Sequence, residues 1–207
     1  MEASFAEALA AARAGDEDGF VAVFRSVQPT LLRFLRTLGH DLAEDAQDIA
    51  AETWVRVTRD LAKFSGDEHG FRAWVFTIAR ARLVDARRAA ARRPVSVDAD
   101  AEFADRADPV DVVGCVEELI STEAALATIG RLPRDQAEAV LLRYVVGLDA
   151  AHAATVTGKT AGAVRVCAHR GLRRLSELVE QRDGATGCNA HAPADGTRGE
   201  RTGKDAR

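Results

Sequence analysis

The sequence predicts an all-α protein: two small helical domains joined by an acidic flexible linker, the second of them a helix-turn-helix domain. Three observations carry that prediction. From Leu132 to Leu175 the chain reads as two helices, a glycine-bounded turn and a final helix rich in bases. Aromatics make up only 5% of the residues, Ala and Arg are abundant, and β-branched runs are scarce, a composition that favours helix. Between Val95 and Glu123 nine acids stand against a single base, Arg106, for a net −8, so with −4 for the whole chain the remainder carries +4. Two neutral-to-basic regions are thus held apart by an acidic strip, and distribution matters more than the sum for a nucleic-acid partner.

The elements follow in order. Ser4 to Arg13 is a short helical stretch closed by Gly15 and Asp16. A second helix runs from Glu17 to about Thr37, its buried side marked by Phe20, Val23, Phe24, Val27, Leu31, Phe34, Leu35 and Leu38. Pro29 inside it predicts a kink. Asp41 is the expected cap of a third helix, with Leu42, Ala46, Ile49, Trp54, Val57 and Leu61 apolar and Glu44, Asp45, Asp48, Glu52 and Arg56 on its polar side. Lys63 to Gly70 has the glycines and polar residues of a loop. The helix from Phe71 to about Arg93 then carries seven arginines against Asp85, a net +6 and a strong electrostatic footprint. Phe71, Trp74 and Phe76 read as core, whereas Phe64 and His69 in the preceding loop are freer to meet a base.

Pro94 stops that helix, and the acidic segment to about Asp111 lacks helical period. The expected boundaries are a first domain over 1–94, a linker over 95–115, a second domain over 116–181 and a disordered tail over 182–207. In the second domain Pro133 suits a first helical position, and Ala137, Val140, Leu141, Tyr144 and Val145 recur at helical spacing up to Gly147. Asp149 is the expected cap of a short helix ending at Gly158, whose freedom at positive φ suits a tight turn. Thr160 then caps a helix in which Ala163, Val164, Ala168 and Leu172 form one face. Arg165, His169, Arg170, Arg173 and Arg174 fall largely elsewhere, and no acid occurs between Lys159 and Ser176. Such a helix suits the DNA major groove; a solvated basic helix end is the alternative.

Several function classes are disfavoured. Cys115, Cys167 and Cys188 are odd in number and far apart, unlike a disulfide scaffold. Cys188 and His191 supply two ligands where a structural zinc site needs four, so no metal and no cofactor are expected. None of the five histidines sits in a hydrolase, metalloprotease or phosphate-loop motif, so an enzyme is not expected. No apolar run approaches bilayer length and the first residues are acidic, which predicts a cytoplasmic protein without membrane insertion.

Longer motifs add a family resemblance over roughly Phe5 to Leu178. The run Asp45-Ala46-Gln47-Asp48-Ile49-Ala50-Ala51-Glu52-Thr53-Trp54, the run Phe71-Arg72-Ala73-Trp74-Val75-Phe76-Thr77-Ile78-Ala79-Arg80, and the pieces Leu132-Pro133, Leu142-Arg143-Tyr144, Gly147-Leu148, Gly162 to Arg165 and His169-Arg170 stand in the family's order. Together they resemble the extracytoplasmic-function group of alternative sigma factors of bacterial RNA polymerase. The resemblance implies that Asp45, Asp48, Glu52 and Arg56 bind core polymerase by docking on the clamp coiled coil of its largest subunit, and it makes the flap region of core polymerase a further expected partner. It implies that Lys63, Phe64, Ser65, Asp67, His69, Arg72, Arg80, Arg87 and Arg88 engage the −10 promoter element, holding a flipped base while the basic face tracks the strand. Lys159, Thr160, Ala163, Arg165, His169, Arg170, Arg173 and Arg174 would read the −35 element. An anti-sigma protein is an expected partner beside core polymerase and promoter DNA.

The chain also departs from the family pattern. Cys167 stands where many members have Arg, Lys159 where a hydrophobic residue is usual, and Ala81 where an Asn often follows. Ala153 and Thr157 replace larger apolar residues, which predicts a lightly packed second domain. The competing reading is a helix-turn-helix regulator with a sensory amino-terminal half.

Overall fold

A computed structural model describes residues 4–42, 45–92 and 116–187, with side chains described through 178 except for those of 116–122. Apart from Glu123, the side chains of the acidic strip lie outside those described, as do Cys115, Cys188, His191 and most of the expected tail. Eight α-helices and no strand occur among the described residues.

Helix α1, Phe5–Arg13, opens with a capping box: the Ser4 side chain accepts from the Glu7 amide, and the Glu7 carboxylate accepts from the Ser4 amide at 2.8 Å. That bond holds the Glu7 carboxyl below its ordinary pKa. Gly15, at φ +95°, turns the chain into α2, Glu17–Gly39, whose cap Asp16 accepts from the Gly19 amide at 2.7 Å. Helix α2 runs through Pro29 as one assigned element.

Helix α3 spans Ala46–Asp60. Its cap is Asp45, which accepts from the Gln47 amide, and not Asp41 as the sequence led one to expect. Asp41 is instead held by the Arg87 guanidinium at 2.9 Å, a tertiary contact that competes with the local capping role. A 3-10 turn over Leu61–Lys63 leads to a loop shorter than predicted, because α4 begins at Glu68 and runs to Arg92. Asp67 caps its first turn by accepting from the Gly70 amide, so Glu68, His69 and Gly70 are helical. Phe34 of α2 meets Phe76 of α4 edge-on at 5.2 Å and Phe71 of α4 meets Phe5 of α1 at 6.0 Å; Phe34, Phe71 and Phe76 are fully buried, each contributing about 2–3 kcal/mol of apolar burial.

The second group begins with α5, Val116–Gly130, and α6, Arg134–Val140. Pro133 is the N-cap of α6, and its carbonyl accepts from the Gln136 and Ala137 amides. A π-turn over Leu141–Val145 follows, in which the Val146 amide reaches back five residues to Leu141. The extra residue per turn rotates Tyr144 outward, leaving it 57% exposed where helical spacing predicted burial. Helix α7, Ala150–Thr157, is capped by Asp149, which accepts from the His152 amide at 2.8 Å, and closes on Gly158 at φ +69°. Helix α8 runs from Ala161 to Gly187, past the predicted domain end at 181, with Thr160 accepting from the Ala163 amide.

Helix α8 seats on α6 through Gly171, where a Cβ would stand 2.7 Å from Val140 Cγ2. Its buried face is therefore Val164, Ala168 and Gly171, with Ala163 exposed and Leu172 39% exposed, a correction to the predicted face. Ala153 and Thr157 are buried, and α7 packs against both α4 and α8.

Candidate polymerase and nucleic-acid interfaces

The first candidate surface lies on α3. Periodicity sends Ile49, Ala50, Thr53, Trp54 and Val57 inward, which leaves Asp48, Glu52, Val55 and Arg56 facing solvent. Asp45 is also exposed, its carboxylate engaged as the helix cap. Glu52 reaches Arg82 of α4 at 3.4 Å, and Arg56 pairs with Asp60 at 2.6 Å. Beside these charges runs an apolar groove of about 460 Å³ lined by Phe20, Phe24, Ala51, Trp54, Val55, Thr58 and Arg59. Trp54 forms its floor, 4.9 Å from the Phe24 ring, with its indole N–H donating to Gln28 Oε1 at 2.7 Å. Val55, 71% exposed at the rim, has no intramolecular reason to be apolar. The sequence reading missed this groove. Its signal was present: Phe20 and Phe24 are one helical turn apart and face the Trp54-Val55 pair.

The second surface comprises the turn before α4 and the basic side of α4. Lys63, Ser65, Asp67 and His69 are exposed. Phe64 is not free, because it stacks on Trp74 at 5.1 Å and meets Phe71 edge-on at 5.5 Å. This corrects the expectation that it stands ready for a base. Three of the four arginines assigned to this surface make internal contacts. Arg72 bonds Glu68 and Ser26 and lies over the Phe5 ring, while Arg87 donates to Asp41 and to the Leu38 carbonyl. Arg80 donates to Glu138 of α6. Arg88 is 71% exposed, paired loosely with Asp85 at 3.6 Å. Burial raises the Asp41 carboxyl pKa, but the bond and charge of Arg87 outweigh it and leave a net lowering. Arg134 is held below the ordinary arginine range by burial first and by the charge of Arg87 second.

The third surface is α8. Thr160, Ala163, Arg165, His169, Arg170, Arg173 and Arg174 are all exposed, and Arg173 pairs with Glu177 at 3.3 Å. Lys159 does not join them: it turns back to Asp135 of α6 at 2.5 Å and ties the turn to the support helix. That contact explains a lysine at a position where the family pattern has an apolar residue. Cys167 is half-buried and unpaired as a disulfide. Among the described residues no group of three or more His, Cys, Asp or Glu is arranged to hold a metal ion, and no helix is long and apolar enough to cross a membrane.

Comparison with known proteins shows the family to which the chain belongs. The sigma-70 region 2 family model matches residues 23–93, which span α2 to α4, and the sigma-70 region 4 model matches 122–175, which span α5 to most of α8. The ECF RNA polymerase sigma factor ShbA of Streptomyces griseus is 38% identical over 176 residues, covering 81% of this chain and 91% of its own. The chain belongs to the extracytoplasmic-function sigma factors.

SigD of Mycobacterium tuberculosis, another sigma factor of this group, is 32% identical, covering 86% of this chain and 84% of its own. Two solved structures share the fold. CnrH, in complex with the cytosolic domain of CnrY, superimposes with a TM-score of 0.57 at 24% identity, covering 84% of this chain and 96% of that one. RpoE of Bartonella quintana, in complex with the anti-sigma factor NepR, gives 0.59 at 23%, covering 78% and 96%. The protein is thus an alternative sigma factor acting in transcription initiation, a family whose members are in general regulators and not enzymes. Region 2 occupies the half of the chain that a sensory domain would need, so the regulator reading falls.

Proposed function

We propose that this sigma factor docks on the clamp coiled coil of core RNA polymerase through Asp48, Glu52 and Arg56 of α3 and the adjoining apolar groove. Asp45 holds the end of that helix. The observation that carries the reading is Val55, an apolar side chain exposed beside Glu52 and Arg56 at the rim of a groove floored by Trp54. Apolar contact supplies affinity in such a pairing, and the acids supply register and exclude wrong partners. We assign residues 1–94 to docking and the −10 element, 116–181 to the −35 element and flap contact, 95–115 to an acidic connection and 182–207 to a tail.

Lys63, Ser65, Asp67, His69 and Arg88 are placed to meet the −10 strand directly, with Phe64 supporting them through its stack on Trp74. Arg72, Arg80 and Arg87 join only when their internal partners release them. Capture of unpaired bases offsets their lost stacking, so opening the duplex needs no hydrolysis by the sigma factor. Arg165, His169 and Arg170 read the −35 major groove, with Thr160, Ala163, Arg173 and Arg174 against its edges and phosphates. Lys159 serves by fixing the turn. The protein works in the cytoplasm, and an anti-sigma protein is its natural inhibitor.

The test is a pull-down with core RNA polymerase comparing wild type, Asp48→Arg, Glu52→Arg and Val55→Asp. Stoichiometric binding by wild type and its loss in all three variants is the expected result. Wild-type affinity in Val55→Asp and Glu52→Arg overturns the docking face. Duplex DNA binding without any core binding overturns the initiation-factor mechanism as a whole.

A further inference from the structure

Val166 sits on α8 between two buried positions. Val164 and Ala168, two residues to either side, are 1% and 2% exposed, whereas Val166 is 48% exposed. At 3.6 residues per turn it stands about 140–160° around the helix from Val164, Ala168 and Gly171, in the middle of the solvent face. Leu172, also exposed on α8, adjoins the buried stripe and forms its rim. No such packing accounts for Val166. A β-branched side chain also lowers helix propensity, so neither the core nor the helix calls for one there.

Residues three and four positions away share its surface patch. Towards the amino end these are Gly162 and Ala163, and towards the carboxy end His169 and Arg170, with Arg165 and Arg173 at the flanks. At Gly162 a Cβ would find no atom nearer than Thr160 Oγ1 at 4.0 Å, so this end of the face lies open to close approach. A stiff apolar knob therefore projects from a floor of small residues inside a rim of bases. No acid occurs between Lys159 and Ser176, and a rim of that sign fits a groove edged by phosphates.

We infer, on the assignment of α8 to the −35 duplex, that Val166 reads the C5-methyl group of a thymine in that element and sets the base preference at its position. The occupant follows from the chemistry of the major groove. Base edges there offer hydrogen-bond donors and acceptors, and the thymine methyl is their apolar feature. Valine has neither donor nor acceptor, so against adenine, guanine or cytosine it strips water from polar atoms and returns no bond. Against a methyl group it buries apolar surface on both sides. Val166 is the sixth residue of α8, within the amino-terminal part by which a recognition helix meets base edges. A protein partner matches the patch less well, because the apolar core of such an interface is depleted of charge, and here one valine is ringed by arginines.

The test removes the methyl from the DNA and leaves the protein untouched. Holoenzyme assembled from the full chain and core RNA polymerase selects sequences from a random duplex pool. Each thymine of the upstream selected block is then replaced singly by deoxyuridine, which keeps every hydrogen-bonding group and lacks only the methyl. At one thymine the wild type should bind the deoxyuridine duplex about fourfold more weakly, the worth of one buried methyl. Holoenzyme carrying Val166→Ala should bind the two duplexes equally at that position. Each protein is compared with itself, so a general loss of affinity cancels from the ratio. An upstream block without thymine, a wild-type ratio of one at every thymine, or the same ratio in Val166→Ala overturns the proposal. Impaired holoenzyme assembly by Val166→Ala with an unchanged ratio overturns it in favour of a protein contact. Failure of the −35 assignment shows separately, as an upstream block that Arg165→Ala and Arg170→Ala both leave unaltered.

Discussion

Three glycines of the helix-turn-helix occupy three different physical situations, and the same substitution to Ala has a different outcome at each. At Gly171 the new Cβ would stand 2.7 Å from Val140 Cγ2 and 3.3 Å from the Gln136 carbonyl oxygen. Ordinary carbon contacts begin near 3.5 Å, so the deficit is about 0.8 Å. Val140 is buried and β-branched in a helix, with one strongly preferred rotamer, and a carbonyl cannot move without its helix. Overpacking of this kind costs about 1–3 kcal/mol, against about 1 kcal/mol gained from replacing Gly in a helix, for a net loss near 1 kcal/mol. At Gly162, in the first turn of the same helix, the nearest atom is Thr160 Oγ1 at 4.0 Å, so propensity alone acts and Ala stabilises by up to about 1 kcal/mol. At Gly158 there is open space but φ is +69°, and the left-handed strain of about 1–2 kcal/mol exceeds the unfolded-state gain of about 0.4–1 kcal/mol. Urea midpoints at constant slope should rank Gly162→Ala above wild type and the other two below it. Electrophoretic shift with duplex DNA should show weaker binding for Gly171→Ala, because lifting α8 from α6 displaces its basic face. Equal midpoints for Gly171→Ala and Gly162→Ala would refute the close α6–α8 approach.

Other outcomes follow from the same structure. Arg165→Ala and Arg170→Ala should each cost about 1–3 kcal/mol if the side chain forks onto a base edge, measured as affinity on matched and mismatched −35 duplexes. A loss equal on every sequence would assign that arginine to phosphate. With Arg173 and Arg174 of α8 on phosphates, log affinity for duplex should fall with log salt at a slope of about −2, and Arg174→Ala should reduce it by about 1; a flat response contradicts the assignment. Asp149 has its pKa lowered chiefly by the hydrogen bond from the His152 amide. Its contribution to α7 is therefore fully present above the unfolded value near 3.8 and is lost as pH falls through the lower folded value. Acid titration of helicity should show Asp149→Asn less sensitive in that window than wild type, and identical curves would refute the cap.

Much of this protein was legible because its signals are local. Asp149, Gly158 and Thr160 specify the helix-turn-helix from chemistry within a turn of each residue, and the exposed bases of α8 follow from helical period alone. The acidic face of α3 was read in the same way. Errors arose where geometry departs from 3.6 residues per turn or where a partner is distant. The π-turn over Leu141–Val145 adds a residue that no periodicity count anticipates, and it carries Tyr144 to the surface. Asp41 looked like a cap, but Arg87, 46 positions later, takes its carboxylate. Phe64 looked free until α4 folded back and offered Trp74 as a stacking face. Sequence by itself thus determined which residues are charged, helical and capped, since those properties depend on neighbours in the chain. Only tertiary structure decided which charges are spent: Arg72, Arg80 and Arg87 share one basic helix with Arg88, yet three are engaged by groups from Phe5 to Glu138 while the fourth faces solvent. The physical reason is that a charge is written locally, whereas its partner is chosen by the packing of helices far apart in sequence.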